Sequence, residues 1–253
     1  VFDMDGKEII DSSSIYFDLV NELRHAKLLE KSDSYSIEVN LDLPTSQGFG
    51  MSAAGLIAVA YAFRELTGKG LAGQYLRLCH RIERIHGSGL GDVLGISAGG
   101  VEIRLQAGAP GASGRALGFG CPQNILLAWQ PSEKRHTSKY IDDEKWQNKI
   151  TLAGQKAVNN LKSDSWGHSQ WSEILKQSRI FAEQSDLLDE PERKHLLGIV
   201  REIVRELDLQ AKVSIRLCML GVSLAILPRE LSKPLSKEEL ELISKELELV
   251  FSK

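Results

Sequence analysis

The stretch PTSQGFGMSAAG, residues 44–55, decides how the rest of the chain is read. Before it, YSIEVNLDLP (residues 35–44) sets Tyr35, Ile37, Val39, Leu41 and Leu43 against polar neighbours. That is the period of a strand, and Pro44 ends it. After it, Ser52 to Thr67 is helical by composition, with Gly68 as its stop. One glycine is enough for a tight turn. Three glycines and two serines at a strand-to-helix junction make a backbone that a ligand can approach closely. The first turn of a helix has unpaired N–H groups and a partial positive charge, so such a junction suits an anion such as phosphate. Ser52 either caps the helix or offers its hydroxyl to a magnesium ion. Taken alone, the stretch reads equally well as an ordinary turn with Ser52 as N-cap.

Two better-known phosphate motifs do not fit. GxxxxGK[ST] is absent, and TGKG at 67–70 lacks the hydroxyl residue after its lysine. GxGxxG fails because Ala53 stands at the third glycine of GFGMSA. A second region of interest is HRIERIHGSGLGD, residues 80–92. Here Glu83 lies on a helix that ends at Gly87, and Asp92 follows on a glycine-rich loop. A phosphoryl-transfer site needs a carboxylate near magnesium and another to orient the attacking hydroxyl. The plainer alternative is a surface Glu83 paired with Arg81 or Arg84, with Asp92 capping the next element. A metal site from His80, Glu83 and His86 is disfavoured, because those positions spread over about a third of the helix circumference.

Residues 44–54 resemble the second motif of the GHMP superfamily of small-molecule kinases, P-x-x-x-G-[LF]-G-x-S-[SA]-A. The resemblance continues through Glu83, His86-Gly87, Ser88-Gly89 and Asp92 in that order. Within the superfamily, GLGDVLGISAGGVEIRLQAGAPG (89–111) and the short CMLGVSLAIL (218–227) are similar to the archaeal pantoate kinase branch. The resemblance implies an α+β fold in two domains. Residues 1–140 would form a ribosomal protein S5 domain 2-like ATP-binding part, and 141–253 a helix-rich α+β part, with the active site in a cleft between them. It implies that Pro44, Gly48, Phe49, Gly50, Met51, Ser52, Ala53 and Ala54 bind the ATP phosphates. Ser52 and Glu83 would hold Mg2+, and Asp92 would be the catalytic base. The implied reaction is ATP-dependent phosphorylation of a small hydroxy acid, pantoate, on the archaeal route to coenzyme A. A mevalonate, homoserine or shikimate kinase, or a non-catalytic nucleotide-binding protein on the same fold, are the alternatives. The superfamily's first motif, a proline-containing strand, is absent, so the expectation is a domain lacking its first strands. Lys212 to Leu227 is too apolar for a phosphate loop and receives no catalytic role.

The totals agree with this reading. The chain has 253 residues, a net charge of -3 and three widely spaced cysteines. That excludes a strongly basic nucleic-acid footprint and a disulfide framework, and points to a cytoplasmic protein with reduced thiols. No apolar run has the roughly 18 residues of a membrane helix. The remaining expectations are a hairpin over 1–10 and helices over 14–30 and 71–86. Strands are expected at VEIRLQ (101–106) and NILLAW (124–129), with a loop at GAPGASGRALGFG (108–120) between them. Helices are expected over 142–209, broken near 162–169 and at Pro191, then two strands joined at Gly221. A closing helix from Lys237 to Phe251 starts with a Ser236–Glu239 capping box and is a candidate homodimer surface. Arg104 reads as part of a solvated strand face, with a carboxylate substrate opposite it as the alternative, Trp166 and Trp171 as helix packing, and KRHTSK (134–139) as a solvated crossover.

Overall fold

The computed structural model describes residues 1–9, 13–89, 91–131, 140, 143–161 and 165–251. The KRHTSK crossover and part of the break near 162–169 lie outside these residues. The fold is α+β in two compact units, Val1–Gly118 and Phe119–Lys253. The division falls earlier in the chain than residue 140, because the strand Leu126–Trp129 pairs with a strand near the C-terminus.

In the first unit, helices α1 (Ser14–His25), α2 (Met51–Thr67) and α3 (Ala72–Ile85) pack around a common core. Leu19, Leu23, Leu56, Ala60, Tyr75 and Ile82 are all fully buried there. Each large apolar side chain so removed from water stabilises the unit by roughly 1.5–3 kcal/mol. Helix α1 stops short of the expected residue 30. The chain turns at Lys27, φ 59°, and the Leu28 N–H bonds back to the Leu23 carbonyl at 2.9 Å. That turn drops Leu28 and Leu29 into the core.

Residues 35–43 keep their alternation, with Val39 and Leu41 buried, but form no ladder. Their described partner is Phe2, which accepts from Leu41 N–H and donates to the Val39 carbonyl. Phe2 also bridges Glu8 in the expected hairpin over 1–10, where Asp3 N–H donates to the Lys7 carbonyl at 2.9 Å and Ile9 N–H to the Val1 carbonyl at 2.8 Å. Extended conformation follows from the sequence pattern, whereas strand pairing needs a neighbour. After α3 come the short helix α4 (Asp92–Ala98) and a two-stranded sheet of β1 (Val101–Gln106) and β2 (Arg115–Phe119). β2 corrects the expected loop. Its Gly118 suggested a breaker, but a Cβ there would lie 2.1 Å from the Gly99 carbonyl oxygen. The glycine marks a close backbone approach inside a strand.

The second unit is a three-stranded antiparallel sheet with order β3-β5-β4, where β3 is Leu126–Trp129, β4 Val213–Leu217 and β5 Ser223–Pro228. Leu126 stands opposite Ile226, and Leu217 opposite Leu224. Helices α5 (Glu144–Leu161) and α6 (Trp171–Gln184) precede α7 (Pro191–Glu206), and α8 (Lys237–Phe251) closes the chain. Pro191 starts α7 at a position where its missing N–H costs nothing. Leu196, Val200 and Ile243 from α7 and α8 meet Leu224 and Ile226 from the sheet. The α8 capping box forms as read. Ser236 N–H donates to Glu239 Oε2 at 2.9 Å, and Glu239 N–H to Ser236 Oγ at 3.2 Å. Among the described residues no helix is long and apolar enough to cross a membrane, and all three cysteines are free.

Candidate active site

Three pieces of the first unit meet at one corner: the start of α2, the end of α3 and the start of α4. Helix α2 begins at Met51 because Gly50 precedes it with φ 68° and ψ 21°, a left-handed conformation that favours glycine. The first helical bond runs from Ala54 N–H to the Gly50 carbonyl at 3.0 Å. The amides of Met51, Ser52 and Ala53 come before it and give the turn its anion-attracting character. Ser52 is therefore the second residue of α2 and not its N-cap. Its hydroxyl makes no hydrogen bond among the described residues, which leaves it available to a ligand.

Glu83 lies in register with Tyr75, Cys79 and Ile82 on the buried face of α3 and is 1% exposed. Its Oε1 accepts the N–H of Asp92 at 2.8 Å and of Val93 at 3.3 Å, the first two residues of α4. The glutamate thus caps the helix that carries the aspartate. Gly89 makes room for this contact. A Cβ there would lie 2.3 Å from Glu83 Oε1 and 2.9 Å from Asp92 Oδ2. The phosphate-loop end touches the same corner, since a Cβ on Gly50 would sit 3.9 Å from Asp92 Cβ.

The electrostatics of the corner are unbalanced. Burial raises the Glu83 pKa to about 7, and the negative charge of Asp92 adds to it. The Asp92 and Val93 amides and Arg104 pull the other way and do not cancel it. Glu83 Oε2 is buried and makes no hydrogen bond. His80 Nδ1 is 3.3 Å from it. Burial lowers the His80 pKa, as does the charge of Arg84, so this contact joins a neutral ring to a carboxyl and is not an ion pair. His86 turns instead to Asp18 Oδ2 at 2.7 Å, so His80, Glu83 and His86 do not form a metal trio. Among the described residues no group of three or more His, Cys, Asp or Glu side chains could hold a metal ion. A buried carboxylate oxygen without a partner, next to a second carboxylate, does fit a cation that takes few protein ligands. Magnesium is such a cation, commonly held by one or two carboxylates plus substrate phosphates and water.

Arg104 corrects the reading of a solvated strand face. Its Nη1 lies 3.0 Å from Asp92 Oδ1, and its Nε donates to Glu102 Oε1 at 2.9 Å. Alternation along β1 put Arg104 and Glu102 on one face, but it does not say whether a face meets water or a partner. The guanidinium holds one Asp92 oxygen, and Oδ2 keeps no hydrogen-bond partner among the described residues.

Residues 17–114 match the family described as GHMP kinases N terminal domain. Over 209 residues the chain is 32% identical to a pantoate kinase of Thermococcus kodakarensis, which is 81% of this chain and 63% of that protein. A pantoate kinase of Methanospirillum hungatei is 36% identical over 106 residues, 42% of this chain and 34% of its own length. One from Methanocaldococcus jannaschii is 27% identical over 139 residues, 55% of this chain and 50% of that protein. The chain therefore spans less than two thirds of the curated relatives it matches. A solved structure titled "Phosphotransferase related to CoA biosynthesis pathway" superposes with a TM-score of 0.68 at 28% identity, covering 99% of this chain and 73% of that one.

Proposed function

We propose, from the match of residues 17–114 to the family described as GHMP kinases N terminal domain, that the chain is an ATP-dependent kinase that phosphorylates pantoate to 4-phosphopantoate. The observation that carries the reading is the contact of Glu83, Asp92 and the Gly50 turn at one corner. The names of the related pantoate kinases supply the acceptor.

In this reading the backbone from Gly48 to Ala54 cradles the ATP phosphates, with Pro44, Phe49 and Met51 framing the turn and Ser52, Ala53 and Ala54 keeping its helix end open. Ser52 and Glu83 would be the protein's ligands to Mg2+, which when bound would neutralise phosphate charge. The orphaned Glu83 Oε2 supports that assignment. Asp92 takes the hydroxyl proton of the acceptor as its oxygen attacks the γ-phosphorus and ADP leaves. Asp92 Oδ2 is the oxygen for this task, because Oδ1 is held by Arg104. Glu83 positions the base as well, by fixing the first amides of α4.

The test follows ADP release from Mg-ATP with pantoate, mevalonate, homoserine and shikimate in parallel. Turnover with pantoate alone is expected. Turnover with another acceptor would keep the site and discard the substrate. ATP binding with no turnover on any acceptor would leave a non-catalytic nucleotide-binding protein.

A further inference from the structure

Glu102 and Arg104 stand two residues apart on β1 and share the face that meets α4. On α4, Gly95 comes three residues after Asp92 and so lies on the same side of the helix. A Cβ on Gly95 would lie 2.6 Å from Arg104 Nη2, 2.8 Å from Arg104 Nε and 2.8 Å from Glu102 Oε1. The Glu102–Arg104 pair is thus seated on the bare backbone of the helix that carries the candidate base. The backbone itself does not call for glycine there. Gly95 is not among the positive-φ residues, and it makes ordinary helical bonds, donating to the Gly91 carbonyl at 3.2 Å and accepting from Gly99 N–H at 3.3 Å. A helix interior disfavours glycine relative to alanine, so room for the guanidinium is what the residue supplies.

The pair controls how Arg104 meets Asp92. An arginine and a carboxylate left to themselves often form two parallel hydrogen bonds, one to each oxygen. Here Glu102 Oε1 accepts from Nε at 2.9 Å, and Asp92 Oδ1 accepts from Nη1 at 3.0 Å. The guanidinium is planar and rigid, so the bond at Nε fixes the plane of the whole fork. Nη2 lies against Gly95, and Asp92 Oδ2 keeps no hydrogen-bond partner among the described residues. Glu102 Oε2 is buried without a hydrogen bond, so the carboxylate is held there at a desolvation cost. Burial works against the charge on Arg104, but the carboxylates of Glu102 and then Asp92 outweigh it and raise the Arg104 pKa. From this we infer that Glu102 is a positioning residue: seated with Arg104 on Gly95, it turns the guanidinium so that Asp92 is gripped at one oxygen and the other stays open to the acceptor's proton. The orienting claim rests on these contacts alone, and its consequence for turnover rests on the kinase reading above.

Arginine side-chain NMR of the nitrogen-labelled full chain tests the orienting claim. The Arg104 Nε–H signal is assigned by its loss in Arg104→Gln. It should resist solvent exchange in the wild type and in Glu102→Gln, whose amide oxygen can still accept, and exchange away in Glu102→Ala. A signal equally protected in Glu102→Ala overturns the orienting role. In the ADP-release assay, Glu102→Ala and Gly95→Ala should each lower kcat about tenfold with the KM for ATP unchanged, and Glu102→Gln should stay within about threefold of the wild type. Added to Arg104→Gln, Glu102→Ala should change kcat less than about twofold, because it acts only through the arginine. Turnover is counted per folded molecule from urea unfolding. Gly95→Ala should be at least as stable as the wild type, since alanine is the better helix former, so its loss of turnover is not a loss of fold. Full turnover in Glu102→Ala or Gly95→Ala, or additivity of Glu102→Ala with Arg104→Gln, overturns the consequence for turnover. If the wild type releases no ADP with any acceptor, the kinase reading fails and takes that consequence with it, while the NMR signal still decides whether Glu102 holds the arginine.

Discussion

Each unit of the chain groups an arginine with carboxylates around one deeply buried side chain, Glu83 in the first and Arg193 in the second, and the two clusters differ in what they leave open. In the second unit Arg193 is 1% exposed, and its guanidinium is fully engaged. Nε donates to the Gly221 carbonyl at 2.8 Å, Nη1 to the Leu187 carbonyl at 3.0 Å and Nη2 to Tyr140 OH at 3.0 Å. Glu190 Oε2 pairs with Nη1 at 3.0 Å and also accepts from Tyr140 OH, at 2.9 Å. In the first unit Glu83 is as deeply buried, yet its Oε2 has no hydrogen bond, Asp92 Oδ2 is open and the Ser52 hydroxyl is uncommitted. Glu83 and Arg193 are buried alike, so burial alone does not mark function. A satisfied cluster holds a turn in place. A desolvated cluster with polar atoms left over has room for a ligand that supplies what is missing.

The comparison breaks first at Arg193. Arg193→Met should destabilise the chain by about 3–5 kcal/mol in urea unfolding, because it strands Glu190 and two buried carbonyls. Turnover per folded molecule should change little. A loss below about 1 kcal/mol would mean that this cluster, too, is dispensable to the fold.

The next effect is at Glu83, whose pKa of about 7 lies above the ordinary 4.5. The folded chain therefore binds this proton more tightly than the unfolded chain. The stability it contributes is complete below about pH 4.5 and is lost as pH rises through about 7. Relative to Glu83→Gln, the wild type should lose about 1–3 kcal/mol across that window in the absence of nucleotide. Parallel stability profiles for the two proteins would contradict the shift. Arg104→Gln should lower turnover about tenfold, or 1.4 kcal/mol, by releasing Asp92 Oδ1, and an unchanged kcat would remove its positioning role. The smallest effect is Tyr140→Phe, about 1 kcal/mol of stability for one hydroxyl that bonds both Arg193 and Glu190.

The sequence carried some of this and hid the rest. The junction at Gly50 was legible because the left-handed turn that starts α2 favours glycine. Glu83 was legible in a second way, since it falls on the same helical stripe as Tyr75, Cys79 and Ile82. Arg193 could have been found by the same signal, because it shares its stripe with Leu196, Leu197 and Val200. The role of Arg104 was not legible. A strand's period of two assigns faces, and only the fold says that this face meets α4. Residues 35–43 show the converse. Their alternation is real, but ladder formation depends on a partner strand elsewhere, of which the described chain offers only Phe2. β2 was hidden because a glycine needed for close approach and a glycine that ends a strand look the same in sequence.

The central claim is that chemistry happens at the unfinished corner. The most direct measurement is transfer of the γ-phosphoryl of Mg-ATP to pantoate by the wild type and by Asp92→Asn, with urea unfolding of both. Turnover should fall by about 10² or more in Asp92→Asn while ATP binding and stability persist. Equal turnover in the two proteins would contradict the account.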